Sequence, residues 1–476
     1  MPTQFPEACL VARCSLFREV HVRNQLTARF LNSPAARSIL STPEVDSEAS
    51  QLLRSAFGPE FLTRPLFLER QETEQIRSAL NVIADVLFSL PERMCDGDLR
   101  RFAGLVGIRE DQADLLGEGI QEPPVRYGRA DLYFDGDRFR TLEFNLGSPV
   151  GGLQVASISR ALYGSNEHMR DFVQSEALEL EDPLPALAAM LRAFAADHGR
   201  DPVVAVMDGP ASYAATEPHL AGIARGLRGQ GIEAFACSTA DVRDTGTSLR
   251  AAGRHFSLVY RFFTLNEMTD SVAASEHAAQ LLGAFRTYGV PVFTPLSGVL
   301  FSNKTVLAML HSKRLLGSLS AAESEAVREV LPWTHVLADE EVEVRGAQEN
   351  LLEYARQHRD SLVIKPSDGL GGQGVVLGNQ VSSPEWEAAL REGVVHEHVL
   401  QERIAPPVEQ FVAPEPGAAT SWVPLWGAFL IGREYAGTMV RAARASESGV
   451  IALSRGAQVG CVYRQTGHCG NADYAA

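Results

Sequence analysis

The segment Asp368-Gly-Leu-Gly-Gly-Gln-Gly374 constrains the fold more than any other. It holds four glycines in six residues, and each glycine costs backbone entropy on folding. Gly369, Gly371 and Gly374 fit a G-x-G-x-x-G pattern, so the flanking residues decide its meaning. A dinucleotide-binding unit needs a helix after the glycine turn, but Val375-Val-Leu, a strand, follows here and Gly378 breaks it. A P-loop needs Lys after its last glycine, and Gly374 precedes Val375. A protein kinase needs His-Arg-Asp after its glycine loop and Asn five positions past that Asp. Here His358-Arg359-Asp360 comes before the loop, Lys365 stands at the Asn position, and no Asp-Phe-Gly follows. What remains is a β-hairpin with a glycine tip, entered along the strand Leu362-Val-Ile-Lys365. Backbone N–H groups in such a tip can fold over phosphates, and Lys365 can neutralise one of them. The competing reading is a plain surface hairpin.

A second hairpin carries acids. Arg129-Ala-Asp131-Leu-Tyr-Phe and Arg140-Thr-Leu-Glu143-Phe-Asn145 flank Asp135-Gly136-Asp137, and Asp-Gly between alternating segments is a hairpin signal. Residues two apart on a strand share a face, so Arg129, Asp131, Glu143 and Asn145 can share one. Asp131, Glu143 and Asn145 offer the hard oxygen donors that Mg²⁺ takes beside phosphate and water. Arg129 offers a fork for a phosphoryl group. A solvated outer face is the competing reading.

Between and around these hairpins the pattern alternates. Residues 44–118 read as helical, with Ile76, Leu80, Ile83 and Leu87 at helical spacing. A helix is expected over 153–163. Strands are expected at 203–207, 232–237 and 257–261, with a helix over 217–229 among them, so residues 180–300 read as α/β units on a parallel sheet. Helices are expected at 303–316 and 339–358, a loop over 405–420, and two strands at 425–433 and 436–442.

The 476 residues allow two to four structural units. Forty-three Lys and Arg against 59 Asp and Glu give a formal charge of -16, which disfavours nucleic acid and anionic membrane as partners. Six cysteines without a CxxC pair read as reduced thiols; Cys461, His468 and Cys469 are too few for a zinc site. No signal peptide or membrane span is read, so the cytoplasm is the expected location.

Taken together, these motifs resemble a circularly permuted ATP-grasp enzyme, and most nearly the synthetase part of glutathionylspermidine synthase. That family carries Arg-x-Asp and, twelve residues after the Asp, Glu-x-Asn; Arg129-Ala-Asp131 and Glu143-Phe-Asn145 keep the spacing. Ser302-Asn303-Lys304 is similar to the family's first nucleotide-binding lysine segment and Val363-Ile-Lys365 to the second. The tip with Gly371, Gly372, Gln373 and Gly374 is similar to its phosphate lid. Leu400-Gln401-Glu402-Arg-Ile404 resembles its adenine hinge, and Ala436-Gly-Thr-Met-Val-Arg441 a late strand whose Arg reaches the transferred phosphate. The likeness runs over 125–456 in family order. The first 120 residues and the 405–420 loop show no match, and no amidase segment is matched, so polyamine and glutathione are not expected to carry over as substrates.

The resemblance implies an α/β (α+β) chain: an ATP-grasp fold, circularly permuted, with a Rossmann-like pre-ATP-grasp domain. It divides the chain into a helical region 1–124, a metal-binding part 125–195, an α/β domain 196–300 and a nucleotide-binding remainder 301–476. ATP and Mg²⁺ are the implied cofactors. Asp131, Glu143 and Asn145 are the implied metal ligands. Lys304, Lys365, the lid and the hinge (Gln401, Glu402, Ile404) are the implied nucleotide contacts, with Arg129 and Arg441 at the transferred phosphoryl. The implied reaction joins a small carboxylate to an amine through an acyl phosphate, giving an amide, ADP and phosphate. A phosphotransferase and a non-catalytic nucleotide sensor are the alternatives. The oligomeric state is open, and a homodimer is compatible with these readings.

Overall fold

The computed structural model describes residues 23–39, 61–117, 124–147, 150–344, 346–369, 371–412, 419–447 and 449–467. In chain order the strands around the site are β1 (Leu66–Leu68), β2 (Tyr127–Phe134), β3 (Phe139–Leu146), β4 (Val203–Asp208) and β5 (Glu233–Ser238). There follow β6 (Leu258–Arg261), β7 (Val292–Phe293), β8 (Thr334–Val336), β9 (Leu362–Lys365) and β10 (Val376–Leu377). Last come β11 (Val399–Glu402), β12 (Glu409–Val412), β13 (Ala419–Ile431), β14 (Glu434–Arg444) and β15 (Gln458–Gln465). Three helices pack on these strands: α1 (Arg70–Cys95), α2 (Val155–Tyr163) and α3 (Tyr213–Gly229).

Three sheets carry the site. The largest has eight strands and the order β1-β15-β14-β13-β2-β3, with β12 paired to β13 and the short strand Leu178–Glu179 paired to β15. The β2–β3 turn closes where Asp135 Oδ1 accepts the N–H groups of Asp137 and Arg138, both at 2.9 Å, and Gly136 takes φ 110. The alternation along the hairpin sends Ala130, Leu132 and Phe144 into the core and leaves the polar set on the other face. Helix α1 begins at a reciprocal cap between Glu69 and Glu72 and buries Ile76, Leu80, Ile83 and Leu87 in the core that also holds Trp426 and Val440 of the sheet. Each such aliphatic side chain contributes about 1.5–3 kcal/mol.

The second sheet has the order β7-β6-β4-β5, and all its pairs are parallel. Gly298, just past β7, lies so close to Gly147 at the end of β3 that a Cβ on it would stand 1.8 Å from the Gly147 carbonyl oxygen. Only a residue without a side chain fits there. The third sheet, β8-β11-β9-β10, is antiparallel and lies across the cavity from the hairpin.

The expected strands and helices of 125–163 and 203–261 stand, as do the strand pair now seen as β13–β14 and the mixed α/β class. Four expectations need correction. Leu66–Leu68 within the helical stretch is a strand, parallel to β15; three residues are too few to show a period. The 44–60 part of that stretch and the Cys469 and His468 positions lie outside the described residues. The expected helix over 339–358 is a hairpin, Glu341–Val344 against Ala347–Asn350, followed by a helix at Leu351–Gln357. Its Glu-Val-Glu-Val alternation exposes the acids and buries Val342 and Val344, which is period two and not 3.6. The expected helix over 303–316 is broken into Thr305–Met309 and Lys313–Leu316, with Ser312 capping the second. Finally, Glu409–Val412 within the expected 405–420 loop is β12, and β13 already begins at Ala419.

Candidate active site

The cavity between the large sheet and the lid sheet has a volume of about 520 Å³. It takes in every expected metal ligand and nucleotide contact except Gly374, and both expected phosphoryl arginines. Gly374 packs against Pro366, where an added Cβ would stand 2.6 Å from the ring. These placements bring the residues together in one cavity.

The hairpin register sets the acidic end. Asp131 pairs with Glu143 and Arg129 with Asn145, so all four stand on one face. Arg129 Nε donates to Asp131 Oδ1 at 3.3 Å and Arg441 donates to Oδ2 at 2.6 Å. Burial works to raise the Asp131 pKa, but Arg441 and then Arg129 outweigh it and hold the carboxyl below the usual range. A second bond fixes Arg129, from Nη1 to the Gly151 carbonyl at 2.9 Å. Its guanidinium crosses the sheet over Gly427, where a Cβ would meet Arg129 Cδ at 2.9 Å.

The cationic end comes from two other elements. Lys304 Nζ lies 3.5 Å from Glu143 and donates to the Gly369 carbonyl at the foot of the lid at 2.7 Å. Lys365, at the end of β9, donates to Gln401 Oε1 at 2.6 Å and to the Leu142 carbonyl at 3.3 Å. Burial pulls the Lys365 pKa down to about 8, against the pull of Glu143. The Leu142 carbonyl is available because of a bulge: Asp131 pairs with Glu143 but Leu132 with Thr141, which leaves Leu142 without a partner. Gln401 also donates to the Thr334 hydroxyl at 3.0 Å, so its carboxamide is spent on holding the lysine.

Above this, Gly371, Gly372 and Gly374 all have positive φ, and the tip at Gly372 reaches the loop at Val450. The lid's foot is tied down: the Lys304 N–H donates to the Ser367 carbonyl at 2.8 Å and Asn266 to Asp368 at 3.2 Å. Glu402 and Ile404 line the far end, where Leu425 and Ile451 form an apolar floor.

Several contributors were missed from sequence: the Leu142 bulge, Gly427, Gly151 and Thr334. Gly427 alone had a local signal, as a glycine inside a strand run. Among the described residues no three His, Cys, Asp or Glu side chains cluster as a metal site. The donor set on the hairpin is two carboxylates and a carboxamide, which suits a hard cation that completes its shell with phosphate and water. Each Asp131 oxygen carries one arginine and keeps a further lone pair for such an ion.

Residues 63–315, more than half of the chain, match the family model described as glutathionylspermidine synthase preATP-grasp. Among solved structures, a glutathione synthetase-like effector (GSS30) from Globodera pallida is 13% identical, with a TM-score of 0.54 over 90% of this chain and 99% of that one. A protein assigned as gamma-glutamylcysteine synthetase from Methylobacillus flagellatus KT is 12% identical, with a TM-score of 0.43 over 88% of this chain and 94% of that one. No curated protein matches the sequence.

Proposed function

Since the chain belongs to the glutathionylspermidine synthase preATP-grasp family, a family of synthetase-type ATP-grasp ligases, we propose that it joins a small carboxylic acid to an amine with ATP, through an acyl phosphate, releasing ADP and phosphate. The observation that carries this is the meeting of two lysines, two arginines and the Asp131–Glu143–Asn145 set in one cavity beneath a glycine lid. The chain order, with the acidic hairpin ahead of both lysines, is what a permuted form of the fold would give.

In this reading the base of ATP lies on the apolar floor by Leu425 and Ile451. The N–H groups of Glu402 and Arg403 are taken by Trp333 and Ser361, so the hinge donor to the base is Ile404. Lys365 and Lys304 hold the phosphates. Asp131, Glu143 and Asn145 would hold Mg²⁺, which supplies charge neutralisation at the phosphoryl group when bound. Arg129 and Arg441, already oriented by Asp131, turn toward the phosphoryl as it passes to the substrate carboxylate. The lid, footed on Lys304, excludes water from the acyl phosphate.

The test is purified protein with ATP, Mg²⁺ and a panel of acids and amines, following nucleotide, phosphate and condensed product together. ADP and phosphate released only with an acid–amine pair, with the amide found by mass, is the expected result. AMP and pyrophosphate, or a stable phosphorylated product, would sink the proposal.

A further inference from the structure

Tyr133 stands on β2 two residues past Asp131 and lines the same cavity. The extra residue of the neighbouring bulge belongs to β3, so β2 keeps its alternation. Arg129, Asp131 and Tyr133 therefore follow one another along one face at steps of about 7 Å. Tyr133 packs, with Leu142, Val423 and Ala443, on the apolar patch of Leu425, Ile451 and Ala457. Its hydroxyl has no hydrogen-bond partner among the described residues. Burial pushes the phenol pKa up to about 12, against the pull of Arg441, so the proton stays on the oxygen. Phenylalanine would cover the patch equally well without bringing in a hydroxyl to satisfy. A polar group on an apolar floor, with nothing in the protein to bond, is left for the ligand.

In the ligase reading the nucleotide's phosphates lie by Lys304, Lys365 and Asp131 and its base lies on the apolar patch; Tyr133 borders both. The phosphate oxygens already have two lysines and two arginines beside them. A purine turns its faces to such a floor and its polar edge to the hinge at Ile404. The sugar is the part that presents hydroxyls between base and phosphates. We propose that the Tyr133 hydroxyl hydrogen-bonds a ribose hydroxyl of the bound nucleotide, and that the site thereby selects ribonucleotides over deoxyribonucleotides. The inference rests on the nucleotide-binding half of the ligase reading. A phenol both donates and accepts, so it fits a sugar hydroxyl in either sense. A deoxy analogue leaves the phenol unpaired inside the cavity, which is how a site built around a hydroxyl rejects the ligand that lacks it.

The test compares wild type with Tyr133→Phe by calorimetric titration with ATP, 2′-deoxy-ATP and 3′-deoxy-ATP in the presence of Mg²⁺, with no acid or amine added. Wild type is expected to bind ATP about tenfold more tightly than one of the two deoxy analogues. The variant is expected to bind ATP about tenfold more weakly than wild type does, and that same analogue within about twofold of wild type. The unchanged analogue also shows that the variant is folded. A wild type that binds ATP and both analogues alike overturns the proposal, whatever the variant does. So does a variant that loses ATP and both analogues by one factor, since the hydroxyl then serves phosphate, base or fold. A variant that loses nothing overturns it too. Because binding is read without acid or amine, a product panel that yields no amide overturns the ligase reading and leaves this inference standing, whereas a wild type that binds no ATP ends both.

Discussion

Asp131 is the residue on which the site's charge turns, since both arginines orient on it and Glu143 stands opposite. Asp131→Asn removes the charge while keeping the shape. We expect it to lower ADP formation by at least about 10²-fold, read in a coupled ADP assay, while thermal unfolding moves little. Lys365 sets a pH dependence. Its charged form binds phosphate, and with a pKa of about 8 it loses that charge as pH rises. ATP affinity should therefore be full below pH 8 and fall above it, by up to about tenfold per pH unit. Titrating ATP binding from pH 7 to 9.5 checks this, and a Lys365→Met variant should bind weakly with a flat profile across that window. The carboxylates, Asn145 and the lysine were legible because period two and a short turn fix neighbours locally. The hold of Gln401 on the Leu142 carbonyl was not, since it joins segments 259 residues apart in sequence.

At the scale of elements, the lid is the piece whose sequence says most. Three of its glycines hold positive φ, and Gly372 also fills the gap beside Val450. Gly372→Ala should strain the closed tip by about 1–2 kcal/mol. That predicts an ATP KM raised about tenfold with a smaller change in kcat, measurable by steady-state kinetics. The elements misread from sequence share one cause: their pattern was too short or too even. Leu66–Leu68 has no room for a period. β15 is buried on both faces from Val459 to Tyr463, so it lacks the alternation of a half-exposed strand, and the sequence reading passed it over. In Glu341–Val344 the alternation was present but only four residues long.

For the whole molecule, the contact that seats the parallel sheet on the large one is backbone against backbone at Gly147 and Gly298. Gly298→Ala must push these two segments apart. We expect a loss of at least about 2 kcal/mol, seen as a lower Tm, together with a loss of turnover, because Gly147 directly follows the strand that carries Glu143 and Asn145. A variant with unchanged Tm would show that the two sheets are less firmly seated than their contact implies. The ATP-grasp architecture was visible from the order of motifs along the chain. The manner of seating was not, because no local pattern announces a glycine that must meet another glycine 151 residues away.

The extra residue in β3 carries a consequence for inheritance. Lys365 and Gln401 grip the Leu142 peptide group rather than its side chain. Spelling at this position is therefore free to drift among residues that suit the apolar patch of Leu425 and Ile451. Its length is not: losing one residue between Thr141 and Glu143 would erase the carbonyl and turn either the acid pair or the rest of the strand to the wrong face. Descendants of this chain should vary in letter at 142 and never in count.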